Sequence, residues 1–215
     1  MPFGIGLFVF SLVVVIFSVV LHELAHGYVA RALGDPTAED AGRLTLNPLP
    51  HLDPVGSVLV PIVCYFVGLP GFAWAKPVPY DPARLTKDLR HGPLKVALAG
   101  PATNLLLLVA FGLAARFLVA GGDMRFVAGL TFVAIVNAFL GVLNLVPVPP
   151  FDGSKLIGLF APGLSRRLDA VGPGALVFAF AVVYLAAGFI AAAAYALVGL
   201  IASPAALQAF LTVWS

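Results

Sequence analysis

Residues 3–33 read FGIGLFVFSLVVVIFSVVLHELAHGYVARAL. The run is apolar well beyond the roughly 18 residues that mark a bilayer-crossing helix. The rest of the chain is of the same kind. Of its 215 residues 61% are apolar and only 10% are charged, whereas a soluble domain carries about 25% charged residues. So few charges cannot cover a water-facing surface. The net charge of +2 gives no argument for nucleic acid, and none is expected as a partner. The opening run has no basic leader and no convincing cleavage site, and it is longer than a signal-peptide core, so it reads as a retained first span.

Working outward, three further segments are long enough to cross as helices: 94–119, 126–146 and 175–201. A fifth, 55–75, is apolar but broken by Pro61, Gly68, Pro70 and Gly71. That pattern fits either a kinked span or a re-entrant hairpin. The charges decide between them. If 55–75 dips and returns, then Arg31, Arg43, Lys76, Arg84, Lys87, Arg90, Lys95, Lys155, Arg166 and Arg167 share one compartment, and of the 12 basic residues only Arg116 and Arg125 face the other. Such a bias marks the crowded side as cytoplasmic. If the segment crosses, the bias weakens and reverses. The expected fold is therefore an all-α polytopic membrane protein with about four transmembrane helices. A re-entrant or kinked segment at 55–75 and short extended segments near 43–54 and 72–79 accompany them. Residues 1–215 read as one membrane-embedded domain, with a core at 3–153, a C-terminal span at 175–201 and a surface helix in the tail 204–215 on the outer side. Trp74, Lys76 and Arg84 read as interfacial anchors.

The chemistry lies in His22-Glu23-Leu24-Ala25-His26. Residues i and i+4 share a helix face, so both imidazoles can reach one metal ion, and Glu23 is placed to touch its water without being a ligand. A chance match is hard to sustain, because ionisable groups inside a span cost on the order of 2.5–3.5 kcal/mol each even on the lenient insertion scale. A catalytic zinc takes a third protein ligand and keeps one position for water. Most other acids lie in polar connections. Asp152 differs: it ends Asn144-Leu-Val-Pro-Val-Pro-Pro-Phe-Asp-Gly153, directly after an apolar span. Pro147, Pro149 and Pro150 unwind the chain there, and Gly153 permits a tight turn. Alone, such an Asp reads as an interfacial carboxylate at a helix end; the missing ligand favours coordination. Topology agrees, since only the dipping model brings HELAH and Asp152 to the same end of parallel spans. The expected cofactor is one zinc ion per chain, on His22, His26 and Asp152.

HELAH in a span, Gly100-Pro101-Ala102-Thr103-Asn104 opening a second, and the Asn144–Gly153 stretch together resemble the site-2 protease family of intramembrane zinc metalloproteases. The likeness covers most of the chain from His22 to Gly153. Leu46-Asn47-Pro48 with His51-Leu52-Asp53-Pro54, and Phe72-Ala73-Trp74-Ala75-Lys76-Pro77, are similar to its compact bacterial and archaeal branch without PDZ or CBS modules. The resemblance implies zinc on those three ligands, Glu23 as general base and acid, and transmembrane or signal-peptide-like protein substrates. These would be cut near the cytoplasmic face of a prokaryotic cell membrane. Phe151 stands where many members have Leu, which leaves the ligand unchanged.

Asn104 and Asn144 each fall near the cytoplasmic end of a span. Either amide can donate to an oxyanion or hold two spans together; the resemblance favours oxyanion or substrate contact. An extended substrate can pair with backbone at 43–46 or 72–78. His51 and Asp53, in a Pro-rich polar setting, read as a structural turn, and Cys64 as a small buried hydrophobe. Gly100-Pro101 and Gly112 read as helix start and close packing. Two rival functions remain at this stage. A metal transporter would need ligands leading across the bilayer, and this chain shows a single site. A pseudoprotease would need a defect in the catalytic groups, all of which are present.

Overall fold

A helix of apolar residues satisfies every backbone group internally, the condition for lying in lipid. In the computed structural model, which describes residues 5–67, 75–161, 163–164 and 174–214, four helices are long and apolar enough to cross a membrane. They are α1 (Ile5–Ala32), α4 (Gly92–Leu118), α5 (Met124–Asn144) and α7 (Gly174–Ala202). Each matches an expected span to within a few residues. Between them lie α2 (Thr37–Asp40), α3 (Val60–Val67) and α6 (Ser154–Phe160), and α8 (Pro204–Trp214) ends the chain. No strand occurs among the described residues.

The chain divides within α4 into two compact units, Met1–Gly100 and Pro101–Ser215. In the first, α1 exposes Val9, Phe10, Val13 and Phe17 while burying Ser18, His22 and His26. An apolar outside with a polar inside is the pattern expected when lipid is the solvent. The helix stops at Gly34, whose φ of +111° is the left-handed conformation that glycine adopts at helix ends. Lys87 completes that end, its N–H donating to Leu33 O at 3.0 Å and its Nζ to Ala32 O at 2.8 Å. Asp35 is fully buried and accepts from Thr37 N at 3.0 Å, Thr37 Oγ1 at 2.5 Å and Asp81 N at 2.6 Å. Burial alone would raise its pKa. The hydrogen bonds from Thr37 and Asp81, with help from the Arg84 guanidinium, outweigh this and hold it below the ordinary value.

In the fifth apolar segment the described residues form no helix long enough to cross. A π-helical turn over Pro54–Leu59 leads into α3, and the apolar helix Pro54–Val67 falls short of the about 20 residues a span needs. Leu52 and Ala75 then meet in an antiparallel bridge, and Lys76 N–H donates to His51 O at 2.8 Å. The excursion ends beside the point where it began. The extended segments expected near 43–54 and 72–79 reduce to this one bridge among the described residues, because turns and proline caps satisfy the neighbouring backbone. Residues 68–74, including Trp74, lie outside the described residues, as do Arg166 and Arg167.

In the second unit, α5 packs on α7 and α8 along a seam of Ala134, Ala138, Ala194, Ala202, Ala206 and Ala209, with Ala115 of α4 in the same core. Small residues let helix backbones approach closely in lipid, where tight packing replaces the hydrophobic drive. The tail is helical as expected. It packs into this core, with Ala206 and Ala209 buried and Phe210 and Trp214 stacked on Phe132, rather than resting only on a surface.

Candidate metal centre

The spacing of His22 and His26 does what the helical period requires. Their Nε2 atoms face one another 3.0 Å apart, both rings being buried. Two ligands of a tetrahedral zinc, each at about 2.0–2.1 Å, sit about 3.3 Å apart, so the pair fits one ion. His26 Nδ1 lies 2.7 Å from Val96 O. A carbonyl only accepts, so Nδ1 carries the hydrogen and Nε2 presents its lone pair. That is the arrangement in which a metal-ligating histidine is held by a backbone carbonyl behind it. The residues present therefore fit zinc.

Glu23 stands between the two histidines in sequence, and its Oε2 accepts from Val78 N–H at 2.6 Å. Gly100, on α4, comes against the same two rings. A Cβ there would lie 2.5 Å from His22 Cε1 and 2.6 Å from its Nε2, and closer still to His26 Nε2. Sequence reading assigned Gly100 and Pro101 to close packing and to a helix start. The packing is present, at the imidazoles themselves. The helix start is not: Pro101 lies inside α4, which begins at Gly92 because that end is set by Asp88, whose O and Oδ1 accept from Gly92 N and His91 N. Gly27, following His26, plays a related part. A Cβ there would meet Leu44 Cδ2 at 2.5 Å and Val78 Cγ1 at 3.1 Å.

In the second unit, Asp152 sits half-buried between α5 and α6, its carbonyl accepting from Lys155 N at 3.0 Å. The turn that presents it is closed by Gly153 N–H donating to Asn144 O at 2.7 Å. Glycine is required here by close approach. Its φ is −57°, yet a Cβ would press on the carbonyls of Leu145 and Val146, the latter at 2.7 Å. Asn104 is fully buried, and its Nδ2 donates to Asn137 Oδ1 at 2.9 Å. Asn144 donates to Leu140 O one turn back at 3.0 Å. Sequence reading passed over Asn137, although an amide inside an apolar span is the same signal that drew attention to Asn104. It also gave no hint of Val78 N–H or Val96 O, since backbone groups leave no trace in sequence.

His51 is buried in the turn Leu49–His51, with Nε2 donating to Thr45 O at 3.0 Å. Asp53 caps the next turn, accepting from Val55 N at 3.1 Å and Gly56 N at 2.6 Å. Both have the structural turn role expected of them.

Spanning helices with paired imidazoles and an adjacent carboxylate on one of them define a membrane metalloprotease. The chain belongs to peptidase family M50, whose model matches residues 121–187. The Bacillus subtilis protein named "Putative zinc metalloprotease YwhC" is 38% identical over 185 residues, 82% of this chain and 81% of that protein. "Putative zinc metalloprotease Rip2" of Mycolicibacterium smegmatis is 33% identical over 152 residues, 69% of this chain and 56% of its own length. The Rip2 protein of Mycobacterium tuberculosis is 32% identical over 174 residues, 80% of this chain and 66% of its own. No solved structure gives a significant match. The protein is thus a multi-pass membrane zinc metalloprotease, in keeping with the resemblance read from its motifs.

Proposed function

We propose that this enzyme hydrolyses peptide bonds in transmembrane or signal-peptide-like segments of other proteins, near the cytoplasmic face of a prokaryotic cell membrane. One zinc ion per chain is held by His22, His26 and Asp152, and Glu23 is the general base and acid. The observation that carries this reading is the facing pair of Nε2 atoms, 3.0 Å apart on an apolar helix, with the carboxylate of Glu23, next to His22 in sequence, held by Val78 N–H.

When bound, the metal supplies Lewis acidity toward the scissile carbonyl and a lowered pKa for water. Val96 O fixes the ring of His26 through Nδ1. Val78 N–H holds Glu23 Oε2, and Oε1 is the oxygen we assign to proton transfer. Glu23 takes a proton from the attacking water and returns it to the leaving amine nitrogen. An amide NH2 has two hydrogens, and Asn144 commits one to Leu140 O; the other is the candidate donor to the oxyanion. Asn104, bonded to Asn137, is the weaker candidate of the two. The pairing of Leu52 with Ala75 supports the charge argument for a cytoplasmic site, because that argument requires the segment to return.

The test is cleavage of a single-span substrate in liposomes by the Glu23→Gln variant. Loss of general acid–base catalysis lowers the rate by about 10²–10⁴-fold at unchanged zinc content. Undiminished cleavage would sink the assignment.

A further inference from the structure

Arg43 is a buried cation in a chain with few charges. It is 7% exposed, and among the described residues no carboxylate pairs with it. Its guanidinium NH2 instead donates to Lys76 O at 2.6 Å. A guanidinium withdrawn from water and given to a backbone carbonyl is costly unless that carbonyl must be held in place. The Lys76 residue is gripped from the other side as well, its N–H donating to His51 O at 2.8 Å. Two residues further on, Val78 N–H donates to Glu23 Oε2 at 2.6 Å. Pro77, between them, has a fixed φ and no N–H of its own, so the link is short and stiff. Leu44, the neighbour of Arg43, and Val78 both rest against α1 at Gly27, where a Cβ would stand 2.5 Å from one and 3.1 Å from the other. The two ends of the connection are thus seated on the helix turn that follows Glu23.

We infer that Arg43 is a positioning residue for the reaction, setting the place of the Glu23 carboxylate through the backbone of Lys76, Pro77 and Val78. This rests on the reading of Glu23 as the general base. A charge-assisted bond anchors the segment more firmly than a neutral one, and a carboxylate that must meet a proton in flight is sensitive to small displacements. Arg43 touches neither substrate nor metal in this scheme. Its removal acts on the chemical step and leaves substrate binding and zinc content alone.

The test compares full-length Arg43→Gln, Arg43→Lys and Glu23→Gln, each in detergent with the same single-span substrate and with zinc per chain measured. Arg43→Gln is expected to lower kcat by about 10–100-fold, the scale of a misplacement near 1 Å, with KM unchanged and zinc retained. Arg43→Lys, which keeps a cationic donor, is expected to recover most of that loss. Its amide hydrogen exchange at Lys76 and Val78 should rise only as far as kcat falls. Wild-type kcat in Arg43→Gln overturns the inference, as does a loss confined to KM or one that follows loss of zinc. Should Arg43→Gln fail to fold, Arg43→Lys still decides: faster exchange with full kcat, or lower kcat with unchanged exchange, overturns it. Active Glu23→Gln would remove the underlying reading instead, whereas inactive Glu23→Gln beside fully active Arg43→Gln removes only the positioning role.

Discussion

Replacing Gly100 by Ala adds a single methyl group, and the structure places it against both proposed histidine ligands. The new Cβ would stand 2.5 Å from His22 Cε1 and 2.6 Å from His22 Nε2. Nonbonded carbon contacts are comfortable at about 3.5–4.0 Å, so the rings or α4 must give way by about 1 Å. Zinc–ligand distances tolerate deviations of only about 0.2 Å. The imidazoles cannot both retreat and keep the geometry that one ion needs. The expected result is a loss of zinc affinity of at least about 10–100-fold, the range seen when the supports of a metal ligand are disturbed, which corresponds to about 1.4–2.7 kcal/mol. Competition with a chelator on the purified protein reads this directly, and circular dichroism checks that the helices remain. Gly199→Ala is the matched control in a spanning helix, since nothing lies within 4 Å of its added Cβ. A folded Gly100→Ala protein with the zinc affinity of wild type would refute the reasoning, because the metal-bound rings would then not lie against Gly100.

Three further outcomes follow from the same geometry. Gly153→Ala drives a Cβ into the carbonyls of Leu145 and Val146; backbone cannot rotate away as a side chain can, so the turn bearing Asp152 must shift, and cleavage should fall by about 10²-fold in kinetic assays. Asn137→Ala removes the acceptor of Asn104 Nδ2 and should lower stability in micelles by about 0.6–1.7 kcal/mol; an unchanged unfolding midpoint would show that the amide pair does not hold α4 to α5. Asp35 has a folded pKa below its ordinary 3.8, so its contribution is fully present above that value and is lost as pH falls through the folded pKa. Wild type should lose stability on acidification below about pH 4, while Asp35→Ala, less stable at neutral pH, should lose less over that window.

The spans were legible because lipid imposes one requirement over a long stretch. Every backbone group must bond within its own helix, and the apolar run that meets this shows its length in the sequence. The positions of α1, α4, α5 and α7, to within a few residues, follow from that alone. The two histidines and Glu23 were legible for a related reason, since the helix period is fixed and polar groups in such a run are conspicuous. What stayed hidden depends on where distant backbone passes. Val96 O behind His26, Val78 N–H on Glu23 and the press of Gly100 against both rings arise from packing, and neither a carbonyl nor a missing Cβ has a pattern to read. Arg43 was visible only as one cation among those assigned to the cytoplasmic side. Its burial and its bond to Lys76 O set it apart, and neither follows from composition or spacing.

The third ligand we propose can be weighed against the other acids and histidines of the first unit. Within the first unit the alternatives are committed elsewhere. Asp35 holds Thr37 and Asp81, Asp53 and Asp81 cap helical turns, Glu39 pairs with Arg31 at 2.7 Å, and Asp88 pairs with Lys95 at 2.7 Å. His51 donates to Thr45 O, and His91 is exposed beside Asp88. Asp40 lies exposed at the end of α2, where water already serves it. A ligand recruited from any of these would have to abandon a turn, a cap or its solvent. These commitments argue against each of them as the third ligand, the place we propose for Asp152.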